Sequence, residues 1–405
     1  MLFADEPIFH RPALARYFVD FLKSADSASG LFLSAPRRTG KTTFIKQDIV
    51  PILRAEGATV IYADLWEQKE VNPAIVIVNA IREAIMKADG VVMKTMKTTG
   101  ITKFKLGGIE MDLSKIGSQD GESISKVLQH LATATNNPIV MVIDEAQHAQ
   151  TTEEGRQTLF ALKAARDAMK GAGGPGFRML ATGSDSDKLA TLVNAKDQAF
   201  FMAPLESLDP LGPDYLQWVL DAMGRSEKPT LKALEAGFAM CSHRPEPLRR
   251  VLRALTKPYA SSKSVDERFL DLMTKDMQAA RETFLQGLNG MDPLDAAVLK
   301  RMASTGKNFK PFDPKTLDIY RELMTGAALQ NAAPSTSSVQ ASLERLRKDG
   351  LVWNAGRGLW YIEDAQHVAW IVAATTRDAE AAKRAEAARL AIDSTATGIK
   401  PPSAS

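Results

Sequence analysis

A run of residues near the start of the chain has the types and spacing of a phosphate-binding loop. Residues 35–43 read Ala-Pro-Arg-Arg-Thr-Gly-Lys-Thr-Thr, which follows the pattern G-x-x-x-x-G-K-[ST] except that Ala35 replaces the first glycine. In such a loop, backbone N–H groups converge on phosphate oxygens at the N-terminus of a helix. Lys41 would place its ammonium against the β- and γ-phosphates, and Thr42 would offer its hydroxyl to Mg²⁺. We therefore expect a nucleoside triphosphate with Mg²⁺ to bind here.

This loop supplies most of the predicted nucleotide contacts, which are Pro36, Arg37, Arg38, Thr39, Gly40, Lys41, Thr42 and Thr43. Ala35 is a departure because alanine disfavours a strongly positive φ, although an alanine in ordinary β geometry would fit. The alternative is a chance Gly-Lys-Thr-Thr on a surface loop. The apolar run Leu31–Ser34 before the loop and the helical pattern after it favour phosphate binding. We also expect Lys41 to face solvent until a nucleotide arrives.

Two adjacent acids follow another apolar run. Ile139–Ile143 has the pattern of a buried strand, and Asp144 and Glu145 come directly after it. Ligands of α/β sheets bind at the carboxyl ends of the strands. At that position Asp144 would hold Mg²⁺ through water, and Glu145 would orient and deprotonate an attacking water. Helix N-capping is the alternative for such acids, but the phosphate loop upstream favours the catalytic interpretation.

A third apolar run, Arg178–Thr182, continues into a Gly-Ser sequence. A hydroxyl at the tip of this strand could contact the γ-phosphate or its water, and Thr182 and Ser184 are the candidates. Ser184 is taken as the catalytic one. An ordinary Gly-Ser turn is the alternative.

The elements that must position these residues form an α/β pattern. Short apolar runs alternate with helical stretches, and each run reads as a strand buried on both faces of a mostly parallel sheet. The runs are Leu31–Ser34, Thr59–Asp64, Ile139–Ile143 and Arg178–Thr182, with Ala199–Leu205 as a further run that could close the sheet. Right-handed crossovers would connect them. The pattern predicts a P-loop NTPase core.

One segment breaks this alternation. Ile101–Leu106 and Ile109–Leu113 alternate in polarity on either side of Gly107-Gly108, which predicts a β-hairpin inserted at about residues 100–114. It would be either a surface decoration or a contact element.

The composition excludes several classes of protein. The 405 residues are 45% hydrophobic and 24% charged, with a formal net charge of +3. These values suit a soluble globular protein of two or three domains and argue against a histone-like or polybasic membrane protein. Cys241 is the only cysteine, which excludes an intramolecular disulfide and zinc sites that need two thiolates. With neither an apolar leader nor a membrane-length apolar run, we expect a cytoplasmic protein that does not enter membranes.

Three helices and a β-hairpin are predicted between residues 289 and 372. The helices begin after Asp292, at Pro314 and after Ser335, and the hairpin strands flank a turn at residues 354–358. This order is typical of a winged helix, a helix-turn-helix with a β-wing. The residues that could reach base edges or form a small basic face are Ser337, Ser338, Gln340, Arg345, Arg347, Lys348 and Arg357.

The charge of residues 289–372 is compatible with either DNA or a protein as the partner of this module. Duplex DNA binding relies on a basic face that releases counterions, whereas this module has nearly as many acidic as basic residues. A winged helix that contacts a protein or acts as an autoinhibitory module is the alternative.

The motifs Pro36–Thr42, Ile143–Gln147 and Ala181–Ser184 together resemble those of P-loop ATPases of the AAA+/STAND superfamily, particularly archaeal-type ATPases related to the origin-recognition ATPases. The resemblance extends over about residues 8–372. It implies ATP hydrolysis with Mg²⁺ and an adenine-side entry motif at Phe9-His10-Arg11, so Arg11 is assigned to nucleotide binding.

The resemblance also implies a helical lid whose basic residue senses the γ-phosphate. Arg249 occupies the matching position, with Arg250 as the other candidate, and a solvated basic helix face is the alternative. Arg166 is a candidate arginine finger for a neighbouring subunit.

Together these inferences divide the chain into a P-loop ATPase core at 1–212, a helical lid at 213–288, a winged helix at 289–372 and an Ala-rich tail at 373–405 that is helical and frays into disorder. The predicted function is an ATP-hydrolysing AAA+/STAND-type switch, homo-oligomeric, that couples nucleotide state to DNA or a protein partner. A signalling or defence switch without DNA binding and a non-hydrolysing nucleotide-bound scaffold are the alternatives.

Overall fold

The structure is a computed structural model that describes residues 8–67, 71–88, 103–106, 109–112, 116–117, 123–170, 176–184, 186–224, 227–256, 262–324, 333–356 and 358–377. The chain divides into two compact units, Met1–Asp276 and Met277–Ser405. The boundary falls inside the helix Val265–Asn289. The finer division into core, lid, winged helix and tail stays a prediction.

The first unit is built on a five-stranded parallel sheet among its described residues, in the spatial order β2-β5-β6-β1-β7. The strands are β1 Leu31–Ser34, β2 Thr59–Asp64, β5 Ile139–Asp144, β6 Phe177–Gly183 and β7 Leu205–Ser207. The first four strands confirm the predicted apolar runs. The fifth lies later than expected, because the run from Ala199 to Ala203 forms no strand and only Leu205–Ser207 pairs with β1.

Alternation of side chains along the strands explains why the sheet is buried on both faces. In β5, Ile139, Met141 and Ile143 pack into one hydrophobic cluster. Val140 and Val142, which point the other way, pack into a second cluster. A strand with apolar side chains on both faces requires helices on both sides of the sheet. The α/β prediction is therefore confirmed.

Helices cover both faces of this sheet and continue beyond it. They are α1 Pro12–Lys23, α2 from its α-helical segment Lys41–Phe44 through the π-helical segment Ile45–Ile49 to the α-helical segment Val50–Ala55, α3 Pro73–Ala88, α4 Ile124–Thr135, α5 Glu153–Met169, α6 Ser186–Val193, α7 Pro213–Ala222, α8 Leu231–Met240, α9 Pro245–Ala254 and α10 Val265–Asn289. The predicted hairpin is present as antiparallel strands β3 Lys103–Leu106 and β4 Ile109–Asp112. Its turn, Gly107-Gly108, lies outside the described residues.

Among its described residues, the second unit contains the three predicted helices and, after them, the predicted antiparallel hairpin. The elements are α11 Pro293–Thr305, α12 Pro314–Leu323, α13 Thr336–Lys348, β8 Val352–Gly356 and β9 Leu359–Ile362, and residues 365–377 are helical. Asp292 and Ser335 cap α11 and α13 through their side-chain oxygens. Val339, Leu343 and Leu346 of α13 are buried in the core of this unit. Arg357 and residues 378–405 of the predicted tail lie outside the described residues.

Across the described part of the chain, every helix falls short of the length and apolar character needed to cross a membrane.

Candidate functional site

A cleft of about 1160 Å³ opens in the first unit beside the phosphate loop. It is larger than a typical small-molecule site of ~300–1,000 Å³. Its lining includes most of the residues predicted to bind nucleotide, namely Arg11, Pro36, Arg37, Arg38, Gly40, Lys41, Thr42, Thr43, Glu145 and Arg249. Thr39, Asp144 and Ser184 are buried and do not line it.

The backbone of the phosphate loop takes the strained conformations that such a loop needs at Arg38 and Gly40. Their φ values are +62° and +90°, in the left-handed region. Ala35 lies outside that region; its backbone N–H donates to the carbonyl oxygen of Gly183 at 3.1 Å, which fixes the start of the loop to the neighbouring strand. The departure from glycine at position 35 therefore causes no backbone strain here.

Lys41 is buried, contrary to the expectation that it faces solvent. It is 5% exposed, and its ammonium donates to Asp144 Oδ1 at 2.6 Å and to Glu145 Oε1 at 2.7 Å. A third bond reaches Thr182 Oγ1 at 3.1 Å. The physical reason is charge: the two carboxylates at the end of β5 neutralise the desolvated ammonium.

Asp144 is the centre of this polar cluster. Its Oδ2 accepts hydrogen bonds from Thr42 at 2.6 Å and from Tyr62 at 2.9 Å, and the hydroxyl of Thr182 donates to its Oδ1. Burial opposes ionisation, but the Lys41 ammonium and the hydrogen bonds from Thr182 and Thr42 lower the pKa of Asp144 to about 2. Asp144 is therefore a carboxylate at neutral pH, as a residue that helps to hold a cation must be.

Glu145 is held at both carboxylate oxygens. Its backbone has a φ of +56°, which turns the chain sharply out of β5 into the 3₁₀ segment Ala146–Thr151. Oε1 accepts from Lys41, and Oε2 accepts from Gln147 Nε2 at 2.7 Å. Burial raises the pKa of Glu145, but the Lys41 ammonium outweighs it, and the net shift is downward. This acid is ionised and pre-oriented, as a general base for water must be.

Gln147 packs closely against β6. It is fully buried, and a Cβ added to Gly183 would lie 2.6 Å from its Oε1. The missing side chain at position 183 therefore makes room for the glutamine that orients Glu145.

The two hydroxyl candidates at the tip of β6 have different surroundings. Thr182 contacts both Lys41 and Asp144, whereas Ser184 is buried with no hydrogen-bond partner for its Oγ among the described residues. The geometry therefore brings Thr182 into the cluster, and the catalytic role of Ser184 stays a prediction.

Part of the cleft lining is apolar and aromatic. Phe9 packs against Tyr215 and Trp218 of α7 with ring centroids 5.5 and 5.6 Å apart, and Leu211 lines the cleft next to Gly40 of the phosphate loop. Arg11 lies with its guanidinium 4.4 Å from the centre of the Phe44 ring and donates to the carbonyl oxygen of Asp209 at 2.9 Å. An apolar, ring-lined surface in the same cleft as a phosphate loop suits a nucleobase.

Arginines also line the cleft. The Arg37 guanidinium lies 3.9 Å from the centre of the Trp66 ring, and Nη1 of Arg38 lies 3.8 Å from Oε2 of Glu246 on α9. Arg249 and Arg250 both line the cleft, and Arg250 also pairs with Asp276 through two hydrogen bonds of 2.7 Å.

Arg166 is engaged within its own chain. Only 12% of its side chain is exposed; it donates to the carbonyl oxygen of Ser29 and pairs with Asp167 at 2.7 Å. These contacts do not suit the predicted arginine finger.

Comparison with solved structures finds the same architecture elsewhere. A Walker-type ATPase of Pyrococcus abyssi aligns with a TM-score of 0.52 and 15% sequence identity, over 92% of this chain and 99% of that chain. This chain has a P-loop NTPase fold. Two Aeropyrum pernix structures have lower scores at 15% identity: the Orc1 protein in complex with DNA, at 0.47 over 94% of this chain and 97% of that chain, and the ADP form of the Orc2 protein, at 0.48 over 92% and 97%. No family model and no curated protein matches the sequence.

Within the P-loop NTPase fold, sequence reasoning missed three groups of the site. Tyr62 on β2 and Gln147 after β5 contact the two acids directly, and Tyr215 on α7 lines the cleft. A tyrosine in an otherwise apolar strand next to β5 was a usable signal for the first. The other two depend on contacts that no sequence spacing reveals.

The residues predicted to contact DNA lie in the second unit. Ser338 and Gln340 are exposed on α13, where they contact Ser335 and Glu344 of the same segment. Arg345 makes a two-point contact with Asp295 of α11 at 2.6 and 3.0 Å. This arginine therefore joins two helices of its own unit.

Proposed function

We propose that this chain binds ATP with Mg²⁺ and hydrolyses it slowly, as a nucleotide switch of the AAA+/STAND type. One observation carries the proposal: Lys41, Thr42, Asp144 and Glu145 form one hydrogen-bonded cluster beside a cleft that is also lined by apolar and aromatic side chains. The shared fold with a Walker-type ATPase supports it.

Binding requires Lys41 to change partners. Its ammonium would leave the two acids and turn to the phosphates, while the N–H groups of the loop contact the phosphate oxygens. That movement leaves Asp144 and Glu145 without a counter-charge, and a buried uncompensated carboxylate is strongly destabilising. The Asp144 and Thr42 oxygens suit Mg²⁺, which would supply positive charge at this point and at the phosphates.

Hydrolysis is favoured when Glu145 releases Lys41. In this structure Oε1 of Glu145 accepts from the Lys41 ammonium and Oε2 accepts from Gln147, and the ion pair with Lys41 lowers the pKa of Glu145, which makes it a weaker base for water. Once Lys41 contacts phosphate, Oε1 is free to orient and deprotonate the attacking water, and Gln147 keeps Oε2 in place.

Phosphate release tests this role. Glu145→Gln should lower the turnover rate by about 10²- to 10⁴-fold, the usual contribution of a general base, while ATP affinity measured by calorimetry stays close to the wild-type value. Equal phosphate release from both proteins would remove Glu145 from its role. ATP binding with no turnover in the wild type would favour the non-hydrolysing scaffold.

The second unit is proposed to be a winged helix that engages duplex DNA. The support is its order of three helices and a hairpin, with exposed polar side chains along the start of α13. A gel shift at low ionic strength, with and without an ATP analogue, should show salt-sensitive binding. If no DNA binding is seen in either condition, a protein partner for this unit is favoured instead, as in a STAND-type signalling switch. Measuring the mass in solution in the same two conditions tests the proposed homo-oligomer.

A further inference from the structure

Asp48 is a buried acid that the proposed chemistry does not use. It lies in the π-helical segment Ile45–Ile49 of α2, and 4% of its side chain is exposed. Its Oδ1 lies 2.6 Å from His10 Nδ1, and its Oδ2 accepts the backbone N–H of Arg11 at 3.2 Å. Burial of a carboxylate is unfavourable unless it is hydrogen-bonded, and here both oxygens are directed to the same short segment of chain.

That segment, residues 8–11, lines the cleft through Ile8, Phe9 and Arg11. We call it the entry segment. It carries Phe9 into contact with Tyr215 and Trp218, and it carries Arg11 onto the Phe44 ring. The position of these side chains therefore depends on where Asp48 holds the backbone of the entry segment.

The helix that carries Asp48 also carries the phosphate-binding side chains. Lys41 and Thr42 lie at its start, and Asp48 follows about two turns later. The π-helical segment departs from regular α-helical geometry between them, and such segments are frequent at functional sites. One helix thus carries both the phosphate-loop side chains Lys41 and Thr42, which line the cleft, and Asp48, which contacts the entry segment.

We propose that Asp48 is a positioning residue that fixes the base-binding part of the cleft to the phosphate-binding helix, through His10 and the backbone of Arg11. The proposal rests on the nucleotide binding proposed above. If Asp48 has this role, the entry segment is necessary for recognition of the nucleoside and dispensable for recognition of the phosphate chain.

Two ligands separate these contributions. ATP engages both the phosphate loop and the base-binding part of the cleft, whereas inorganic tripolyphosphate has no base and engages only the phosphate loop. Calorimetry in Mg²⁺ buffer should show that Asp48→Ala weakens ATP binding about tenfold, equivalent to ~1.4 kcal/mol, and changes tripolyphosphate binding less than twofold. Asp48→Asn retains an oxygen that can accept the Arg11 N–H, so it should lose less ATP affinity than Asp48→Ala.

His10→Ala provides the test if the buried Asp48→Ala variant fails to fold. The His10 side chain is 57% exposed, so its removal should leave the protein folded, with a smaller loss of stability than Asp48→Ala causes, because one of the contacts of the buried carboxylate is lost. It should weaken ATP binding selectively because it removes one of the two Asp48 contacts. His130→Ala, on α4 away from the cleft, is the matched control and should change neither affinity.

The outcomes distinguish the two proposals. A wild-type protein that binds neither ligand contradicts the proposed function itself. A wild-type protein that binds both, with the Asp48 and His10 variants losing both affinities equally or losing neither, overturns the positioning role alone.

Discussion

Lys41 and Asp144 lie 103 positions apart in the sequence, yet their side chains are 2.6 Å apart in the fold. The motifs were sufficient to predict that these residues share a site, because strand β1 and strand β5 both end at the same edge of a parallel sheet. They could not predict that Lys41 turns inward. Its direction depends on the balance between solvation and two buried carboxylates, and that balance follows from burial, which a motif does not specify.

This inward position changes what Lys41→Ala should do. Besides abolishing ATP binding, the substitution removes the counter-charge of Asp144 and Glu145, so it should destabilise the nucleotide-free protein by about 3–5 kcal/mol. Urea unfolding without nucleotide measures this. Lys263→Ala, which removes an exposed ion pair with Asp271, is the control and should cause no measurable change. An unchanged unfolding midpoint for Lys41→Ala would contradict the buried ion cluster.

Asp144 should make stability depend on acid pH. Its pKa falls from 3.8 in the unfolded chain to about 2 in the fold. A lowered pKa contributes stability that is fully present above pH ~4 and is lost as the pH falls towards 2. The contribution is on the order of 2 kcal/mol. Unfolding free energies measured from pH 5 to pH 2 should fall more steeply for the wild type than for Asp144→Asn, and parallel curves would contradict the assignment.

At the scale of elements, the apolar strands were predictable and the irregular segments were not. Runs such as Ile139–Ile143 are long enough and apolar enough to require a sheet with helices packed on both faces. The left-handed backbone at Glu145 and the π-helical segment at Ile45–Ile49 coincide with long-range contacts, of Glu145 with Lys41 and of Asp48 with His10, which no local sequence pattern specifies. The fifth strand was displaced because Phe200 packs in the core against Phe32 instead of extending the sheet.

The packing of β6 against the segment that follows β5 should be sensitive to a single methyl group added at Gly183. A Cβ at Gly183 would lie 2.6 Å from Gln147 Oε1 and 2.7 Å from Leu189. Gly183→Ala should therefore destabilise the protein by about 1–3 kcal/mol, the usual effect of overpacking, and lower turnover by displacing Gln147 from Glu145.

Gly176→Ala is the matched control, because a Cβ at Gly176 would have no neighbour within 4 Å. It should leave both stability and turnover nearly unchanged. Equal effects of the two substitutions, in thermal unfolding and phosphate release, would show that the packing of Gln147 against β6 is unimportant.

At the scale of the molecule, the cleft lies entirely within the first of the two compact units. ATP with Mg²⁺ should therefore stabilise that unit, by about 2.7 kcal/mol at a ligand concentration of 100 Kd. Differential scanning calorimetry should show the shift in the transition of the first unit, and removal of Mg²⁺ with EDTA should abolish most of it, since Asp144 and Glu145 would then face the triphosphate without a cation. A full shift in EDTA would contradict this account of the acids.

The ion cluster around Lys41 also determines which anions can bind to the phosphate loop. Asp144 and Glu145 neutralise this ammonium within the chain. Phosphate, sulfate and nucleotides must therefore compete with an intramolecular partner whose effective concentration is high. Ligands that bring a divalent cation with them should be favoured over bare anions, because the cation can take over the charge of the two acids.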